Sequence, residues 1–529
     1  MDTPLATTAA TPAAPTTRAG LLPKLLIGLA LAAFIGYLVV YVIYAVQLFR
    51  FPFDYDQGEG FELMDTVLFS RGEWPYRDND AYPFYSSNYP PLFHVVVVPL
   101  VWLFGPRYWT GRLVSFLGTL ITAAAIGYAV GRGHSPGHRG RRWLAGLSGL
   151  AFLASNYVYH VGPLFRQHMF MVMFETLAVV LLAVVIEREE SDGRRRPLAL
   201  LGVMALLLSA GYTKQLAYAT VIAVFLFIIA ATDGLWLRII ITANLNPFVP
   251  GQAEGLFRQW FGLHTVLVAV AALYALYQLY ATRLSVYAIW FVVATINSVT
   301  AGKWGAGESY FATAIAAACI LSGLAFNHLL DWGQRRSWPS ARAATWAAVL
   351  LPSLVAALYL WQARLVFHLP THTPALAAVA RALGQPEAVL IAPQTSCSLA
   401  RPPEAIPYLD AVGATLLGRP PTDADTQAGQ KIAALIALGH TAAFAEDAGF
   451  NLYLGRDVVT NPTQLLNLYT NNAVDLTEML AMLDAQAFDT VVLRAQFYPP
   501  PVLDVIGQRY ETTDLVQMNG FVYCIMRPR

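Results

Sequence analysis

Residues 25–65 read LLIGLALAAFIGYLVVYVIYAVQLFRFPFDYDQGEGFELMD. Leu25 to Phe49 carries no charged residue and exceeds the roughly 20 apolar residues that cross a bilayer as a helix. It is too long for the apolar core of a signal peptide and lacks a cleavage site, so it reads as an uncleaved first membrane helix. Arg18 and Lys24 precede it and an acidic stretch follows. Lys and Arg collect on cytoplasmic loops, which places the N-terminus in the cytoplasm and the acidic loop outside.

The rest of the chain extends this reading. It is 56% hydrophobic and 13% charged, against about a quarter charged in a soluble protein. Apolar segments recur at about 91–104, 110–130, 143–160, 168–186, 198–210, 215–231, 264–281, 284–300, 309–326 and 343–361. With the first helix they give eleven candidate spans. The loops 131–142 and 187–197 are rich in Arg and belong in the cytoplasm. Their placement is consistent with nine net crossings if 91–130 and 198–231 each cross once. Either count leaves the C-terminus outside. The expected architecture is mainly α: a polytopic bundle of nine to eleven helices in the plasma membrane. Residues 1–20, rich in Ala, Thr and Pro, form a disordered cytoplasmic tail. Residues 21–361 form the membrane domain, and 50–90 its functional loop.

From Gln362 the pattern changes. Short apolar runs at 388–392, 490–494 and 521–526 alternate with helix-like runs at 430–438, 477–485 and 500–509. Residues 362–529 therefore read as a small extracytoplasmic α/β domain, a binding or packing module. Three cysteines, at 319, 397 and 524, lack zinc-ligand spacing. A Cys397–Cys524 disulfide and two unpaired thiols both remain open. A net charge of +1 leaves no nucleic-acid footprint.

Eight carboxylates crowd the first loop: Asp54, Asp56, Glu59, Glu62, Asp65, Glu73, Asp78 and Asp80. In 59–72, Phe61, Met64 and Leu68 fall on one helical face and Glu59, Glu62 and Thr66 on another, an amphipathic helix at the membrane surface. Read structurally, Asp56 caps that helix and Glu59 completes the cap. Read functionally, Gly58 and Gly60 let a ligand approach the backbone, and Asp54, Asp56 and Glu59 form a catalytic acidic group. Those three could also hold a divalent ion in an oxygen site, although no cofactor is required and no metal-ligand motif is present. Tyr85-Ser-Ser-Asn-Tyr-Pro-Pro-Leu92 leads back into the membrane. Asn88 and Tyr89 there would wall the site.

Charged residues at the membrane are costly and concentrate where function needs them. Arg166 and His168 lie between two apolar helices, Lys214 between two more, and Lys303 with Glu308 and Tyr310 at a third junction. Glu175 shares a helix face with His168. Each alone reads as a snorkelling or paired residue. Together, Arg166, His168, Lys214 and Lys303 suit an anionic phosphate. Glu308 and Tyr310 join Asn88 and Tyr89 as substrate contacts.

The loop motif resembles a known family. Acids in the first external loop are followed sixteen residues later by Gly72-Glu-Trp-Pro-Tyr-Arg-Asp, then by Tyr-Pro-Pro-Leu and the next helix. This is similar to the GT-C superfamily of membrane glycosyltransferases, in particular protein O-mannosyltransferases, aminoarabinose transferases and their bacterial relatives. The resemblance spans 25–361. It implies a polyprenyl-phosphate-linked sugar as donor, inversion at the anomeric carbon, and a loop aspartate as general base on an acceptor hydroxyl of a protein, lipid or glycan. Counting back sixteen from Gly72 assigns the base to Asp56. Better-known members carry an Asp-Glu dipeptide, whereas this chain has Asp56-Gln57, with Glu59 following. The competing reading is a secondary transporter or lipid-linked-sugar flippase using Glu175, Lys214 and Glu308 within the membrane. The concentration of acids outside the membrane favours the enzyme.

Overall fold

A computed structural model describes residues 20–132, 142–214, 247–303, 305–369, 374–384, 420–494 and 497–529. The tail at 1–19, the segment 215–231, the strand expected at 388–392, Cys397 and most of the loop 131–142 lie outside the described residues.

The protein is a polytopic helical bundle with a small C-terminal α/β unit. Its membrane part contains α1 (Leu21–Arg50), α2 (Glu59–Ser70), α3 (Leu92–Phe104), α4 (Tyr108–Arg132), α5 (Arg142–Leu153), α6 (Asn156–Val161), α7 (His168–Asp192) and α8 (Pro197–Thr213). It continues with α9 (Pro250–Ala281), α10 (Val286–Asn297), α11 (Ala312–Arg335) and α12 (Ala341–Leu365). Among the described residues, six helices are long and apolar enough to cross a membrane: α1, α4, α7, α9, α11 with the short turn before it, and α12. Four shorter apolar helices accompany them, including α3 and α8.

α1 shows how the sequence makes this core. Phe34, Tyr37, Tyr41, Tyr44 and Leu48 recur every three or four residues and are buried, while Leu25, Leu29, Ile35, Val39 and Ile43 point outward. The inner stripe stacks: Tyr44 lies 4.9 Å from Tyr159, and Tyr41 lies 5.2 Å from both Tyr159 and Phe116. Aliphatic side chains face lipid, where they cost nothing, and the aromatic rings pack inside.

The apolar stretch 143–160 is two helices, not one. It breaks at Ser155 (φ −60°, ψ 129°). Opposite it, α9 breaks at His264 (φ −120°, ψ 21°). The His264 ring joins the breaks: Nδ1 lies 2.8 Å from the Trp260 carbonyl and Nε2 lies 2.8 Å from Ser155 Oγ. The freed polar groups satisfy one another inside the bundle.

The C-terminal unit carries β1 (Phe444–Ala445), β2 (Val491–Leu493), β3 (Tyr510–Met518) and β4 (Phe521–Pro528) in the order β1-β2-β4-β3. β1 and β2 are parallel and the other pairs antiparallel. Asn519 and Gly520, both with positive φ, turn the β3–β4 hairpin, as Asn-Gly does in two-residue connections. This unit shares its core with the first loop. Phe84, fully buried, sits among Phe444, Val459, Leu465 and Phe488. Phe53 packs on Phe450 and Tyr453.

That docking changes the environment of α2. The sequence suggests a helix with one polar face in water, but every residue from Glu59 to Leu68 is buried. Phe61, Met64 and Leu68 pack on Tyr85, Ala448 and Val458. Leu63 and Val67 pack on Phe93 and Phe165. The polar face turns into the protein, where every carboxylate needs a partner.

Candidate functional site

The three leading carboxylates of the loop have different environments. Glu59 is fully buried and clamped by Arg112, itself fully buried. Arg112 Nε donates to Glu59 Oε1 (2.8 Å) and Nη2 to Oε2 (2.7 Å). The same guanidinium donates to the carbonyls of Leu48, Phe51 and Phe53 at 2.6–2.8 Å. Glu59 also accepts from the backbone N–H groups of Tyr55, Asp56 and Phe165. Five protein donors thus engage its carboxylate and fix it against the loop.

Asp54 is also enclosed. It accepts from Gly60 N–H (2.7 Å), Tyr108 O–H (2.8 Å) and Gly449 N–H (2.8 Å), the last from the C-terminal unit. Burial, with the neighbouring Asp447 second, pushes its carboxyl above the usual carboxylate range. Asp54 ties loop to C-terminal unit. Of the three acids that could share a divalent ion, Asp54 and Glu59 are engaged by protein donors.

Asp56 remains accessible, with 37% of its side chain exposed. Arg166 grips it through Nε (2.7 Å) and Nη2. Burial alone would raise the Asp56 carboxyl, but the charge and hydrogen bonds of Arg166 outweigh it and hold the carboxyl below its ordinary value. Asp56 is therefore ionised at neutral pH. Arg166 Nη1 also lies 3.5 Å from Glu62 Oε1, so one cation stands between two acids. Gly58 makes this approach feasible: a Cβ there would collide with the guanidinium.

Around this pair the fold collects groups from four other segments. Lys214, buried at the end of α8, lies against the His168 imidazole. It faces the rings of Tyr89 (5.3 Å) and Tyr310 (5.0 Å). Burial, with Arg166 second, drives the Lys214 ammonium well below its ordinary pKa. Glu308 pairs with His160, Oε1 to Nδ1 at 2.6 Å. Arg166, Tyr89, Glu308, Tyr310 and His160 are all only partly buried. Arg494, over the Phe521 ring at 3.6 Å and paired with Asp447 at 3.2 Å, adds its charge to those acting on Asp56.

Of the residues singled out in the sequence, Asp56 pairs with Arg166, Lys214 gathers His168, Tyr89 and Tyr310, and Glu308 pairs with His160, the charges of these groups acting on one another. Asn88 adjoins Tyr89 and is half-buried. Lys303 is partly buried and makes no ion pair among the described residues. Its carbonyl accepts from Gln252 (2.8 Å) in the turn after α10. Glu175 lies apart from the loop and accepts from Thr313 (2.7 Å). Sequence reasoning missed Arg112, His160 and Arg494. Arg112 carried a signal, a charge within an apolar helix. Arg494, far along the chain, carried none.

No protein-family profile and no curated protein matches the sequence. Solved structures do match. ArnT from Cupriavidus metallidurans bound to undecaprenyl phosphate aligns over 95% of this chain and 97% of its own, with 15% identity and a TM-score of 0.52. The apo state of ArnT aligns over 93% and 98%, with the same identity and score. An oligosaccharyltransferase from Archaeoglobus fulgidus aligns over 90% of this chain and 73% of its own, with 11% identity and a TM-score of 0.44. The ArnT likeness spans both the membrane bundle and the C-terminal unit. The chain shares the fold of ArnT.

Proposed function

We propose that the protein is a membrane glycosyltransferase that moves a sugar from a polyprenyl-phosphate carrier to an acceptor hydroxyl on the extracytoplasmic side. The observation that carries this reading is the accessible Asp56–Arg166 pair. It stands beside Lys214 and a wall of Tyr89, Tyr310 and His160–Glu308, on the fold of a protein solved with undecaprenyl phosphate.

The chemistry follows from charge. The acceptor oxygen attacks the anomeric carbon and the C1–O bond to phosphate breaks. The electron pair leaves with the polyprenyl phosphate. Attack opposite the leaving group inverts the anomeric centre. Asp56 takes the proton that the hydroxyl sheds, within hydrogen-bond reach. The phosphate is already a competent leaving group, so no general acid is needed. Cations aimed at the developing charge lower the barrier. Arg166 serves this role, and Lys214 adds a second donor beside it. Arg166 cannot grip Asp56 and phosphate equally. An incoming phosphate draws the guanidinium over and frees the carboxylate as base. The donor thus prepares the base that consumes it.

The test is transfer by the full-length protein from an undecaprenyl-phosphate-linked sugar. Asp56→Asn keeps the shape and removes the base. We expect a rate loss of about 10²–10⁴-fold with unchanged membrane insertion and melting temperature. Wild-type turnover in that variant would remove Asp56 from the role. Absence of transfer by the wild type with several lipid-linked sugars would remove the function.

A further inference from the structure

Beneath the proposed reaction site lies a second cluster that the mechanism does not use. Glu62 and Asp65, three residues apart on one face of α2, meet His94 from α3. One ligand atom from each lies within 4.8 Å of the other two, and all three residues are buried. His94 Nε2 is 3.4 Å from Glu62 Oε2 and 3.7 Å from Asp65 Oδ2. It is fully enclosed and has no hydrogen-bond partner.

The hydrogen bonds around the cluster fix which atoms carry protons. Thr66 Oγ1 spends its one proton on the Glu62 carbonyl (2.9 Å). His94 Nδ1 lies 3.4 Å from Thr66 Oγ1, which with its proton so committed can only accept, so the contact fits the tautomer with the proton on Nδ1. Nε2 then carries a lone pair, and that lone pair points at two carboxylate oxygens. Asp65 accepts from Ser87 O–H (2.5 Å) and Tyr85 O–H (2.8 Å), which fix the carboxyl in place. Gln167, in the amide orientation that satisfies both its ends, donates to Glu62 at 3.0 and 3.3 Å. Three ligand atoms thus converge in a dry layer on one small space that a proton or a metal cation can fill, and the unpartnered His94 Nε2 faces it.

We infer that Glu62, Asp65 and His94 form a binding site for a divalent transition-metal ion of the zinc class, which pins α2 to α3 beneath the Asp56 loop. An imidazole ligand disfavours calcium and magnesium, which take oxygen sets, and suits zinc and its first-row neighbours. The spacing agrees. Zinc–ligand bonds of about 2.0–2.2 Å in a tetrahedron set ligands about 3.3–3.6 Å apart. The two His94 edges are already near that length, and a modest carboxylate rotation closes the third. The surrounding donors match the supporting shell of metal sites, in which a ligating histidine donates its other N–H and the carboxylates are held by hydrogen bonds. The site would also occupy Glu62, leaving the charge of Arg166 for Asp56 and the donor phosphate.

The experiment measures metal, independent of transfer. Full-length protein in detergent, purified with zinc and then dialysed, is analysed by elemental mass spectrometry and titrated with cobalt(II). We expect about one zinc per chain and a visible cobalt spectrum of tetrahedral type. Asp65→Asn and His94→Gln should lose both. Thr66→Val, which removes only the support of Nδ1, should weaken binding about 10–100-fold. Chelation should lower the melting temperature of the wild type and leave that of the two ligand variants unchanged. Wild-type protein without metal, or ligand variants that bind as wild type does, would overturn the site. Should the ligand variants fail to fold, Thr66→Val alone decides it, equal affinity counting against.

Discussion

Arg112 and Arg166 show what one residue decides here. Both are cations facing loop acids, with opposite consequences. Arg112 is fully buried and satisfies Glu59 and three carbonyls at once. Breaking a buried pair by removing one partner costs about 3–5 kcal/mol, because the other charge is stranded. Arg112→Met and Glu59→Gln should each lower stability by about that amount in thermal unfolding, and the double variant by less than their sum. Arg112→Lys should not rescue, since an ammonium lacks the planar fork. Arg166, with its partner Asp56 more than a third exposed, contributes little stability. Its effect is on acidity. Because Arg166 holds the Asp56 carboxyl below its usual value, the proposed base is ionised at neutral pH, and kcat/KM should fall only in acid, below the ordinary aspartate range near pH ~3.9. Arg166→Gln leaves the burial that raises the carboxyl and removes the charge that lowers it. The acid limb of the pH profile should move to higher pH. A limb that stays in place would separate Asp56 from the rate.

At the scale of elements, α2 is a helix with no free face. Glycine allows the two close approaches at its start. A Cβ on Gly60 would sit 2.6 Å from Asp54 Oδ1, 2.7 Å from the Ala448 side chain and 2.8 Å from the Tyr108 hydroxyl. The three atoms nearest a Cβ on Gly58 all belong to the guanidinium of Arg166, the end of a flexible side chain. The two substitutions should therefore differ in kind. Gly60→Ala overpacks a rigid contact and should destabilise by about 1–3 kcal/mol. Gly58→Ala should keep stability and lose transfer, because it displaces Arg166 from Asp56. Measuring melting temperature and turnover for both separates the roles. Equal losses of stability would show that Arg166 has no room to move.

At the scale of the whole molecule, the loop is the middle layer of a stack, membrane helices on one side and the C-terminal unit on the other. Asp54 bonds to Gly449, Asp80 to Asp475 N–H (3.0 Å), and Arg71 to Asp457 (2.9 Å). Phe84 bridges to Thr460. Everything bound to the loop must share its side of the membrane, so loop and C-terminal unit have one topology. Trp74 is 53% exposed on that loop. In intact cells, Trp74→Cys should react with a membrane-impermeant maleimide, and so should a cysteine at exposed Glu511 on β3. Labelling of either only after permeabilisation would place the loop in the cytoplasm and end the proposed function, since lipid-linked donor and acceptor would then meet on the wrong face.

The sequence by itself determined the bundle. An uncharged run such as 25–49 has no stable place but lipid, so the helices were legible wherever apolar length exceeded the bilayer. The crowding of acids between the first two spans marked the loop. The apolar run at 521–526 marked β4, whereas its partner β3, with exposed Glu511, Thr512 and Thr513, hid within its polar surface. What only the tertiary structure decided is the separate environment of each of those acids. Asp54, Asp56 and Glu59 are chemically near-equivalent and lie within six residues of one another. Their difference comes from partners distant in the chain: Gly449 and Tyr108 on Asp54, Arg112 on Glu59, Arg166 on Asp56. Pattern along a chain reports how much apolar surface must leave water. It cannot report which charge each carboxylate will meet, because in a dry interior that is set by neighbours in space.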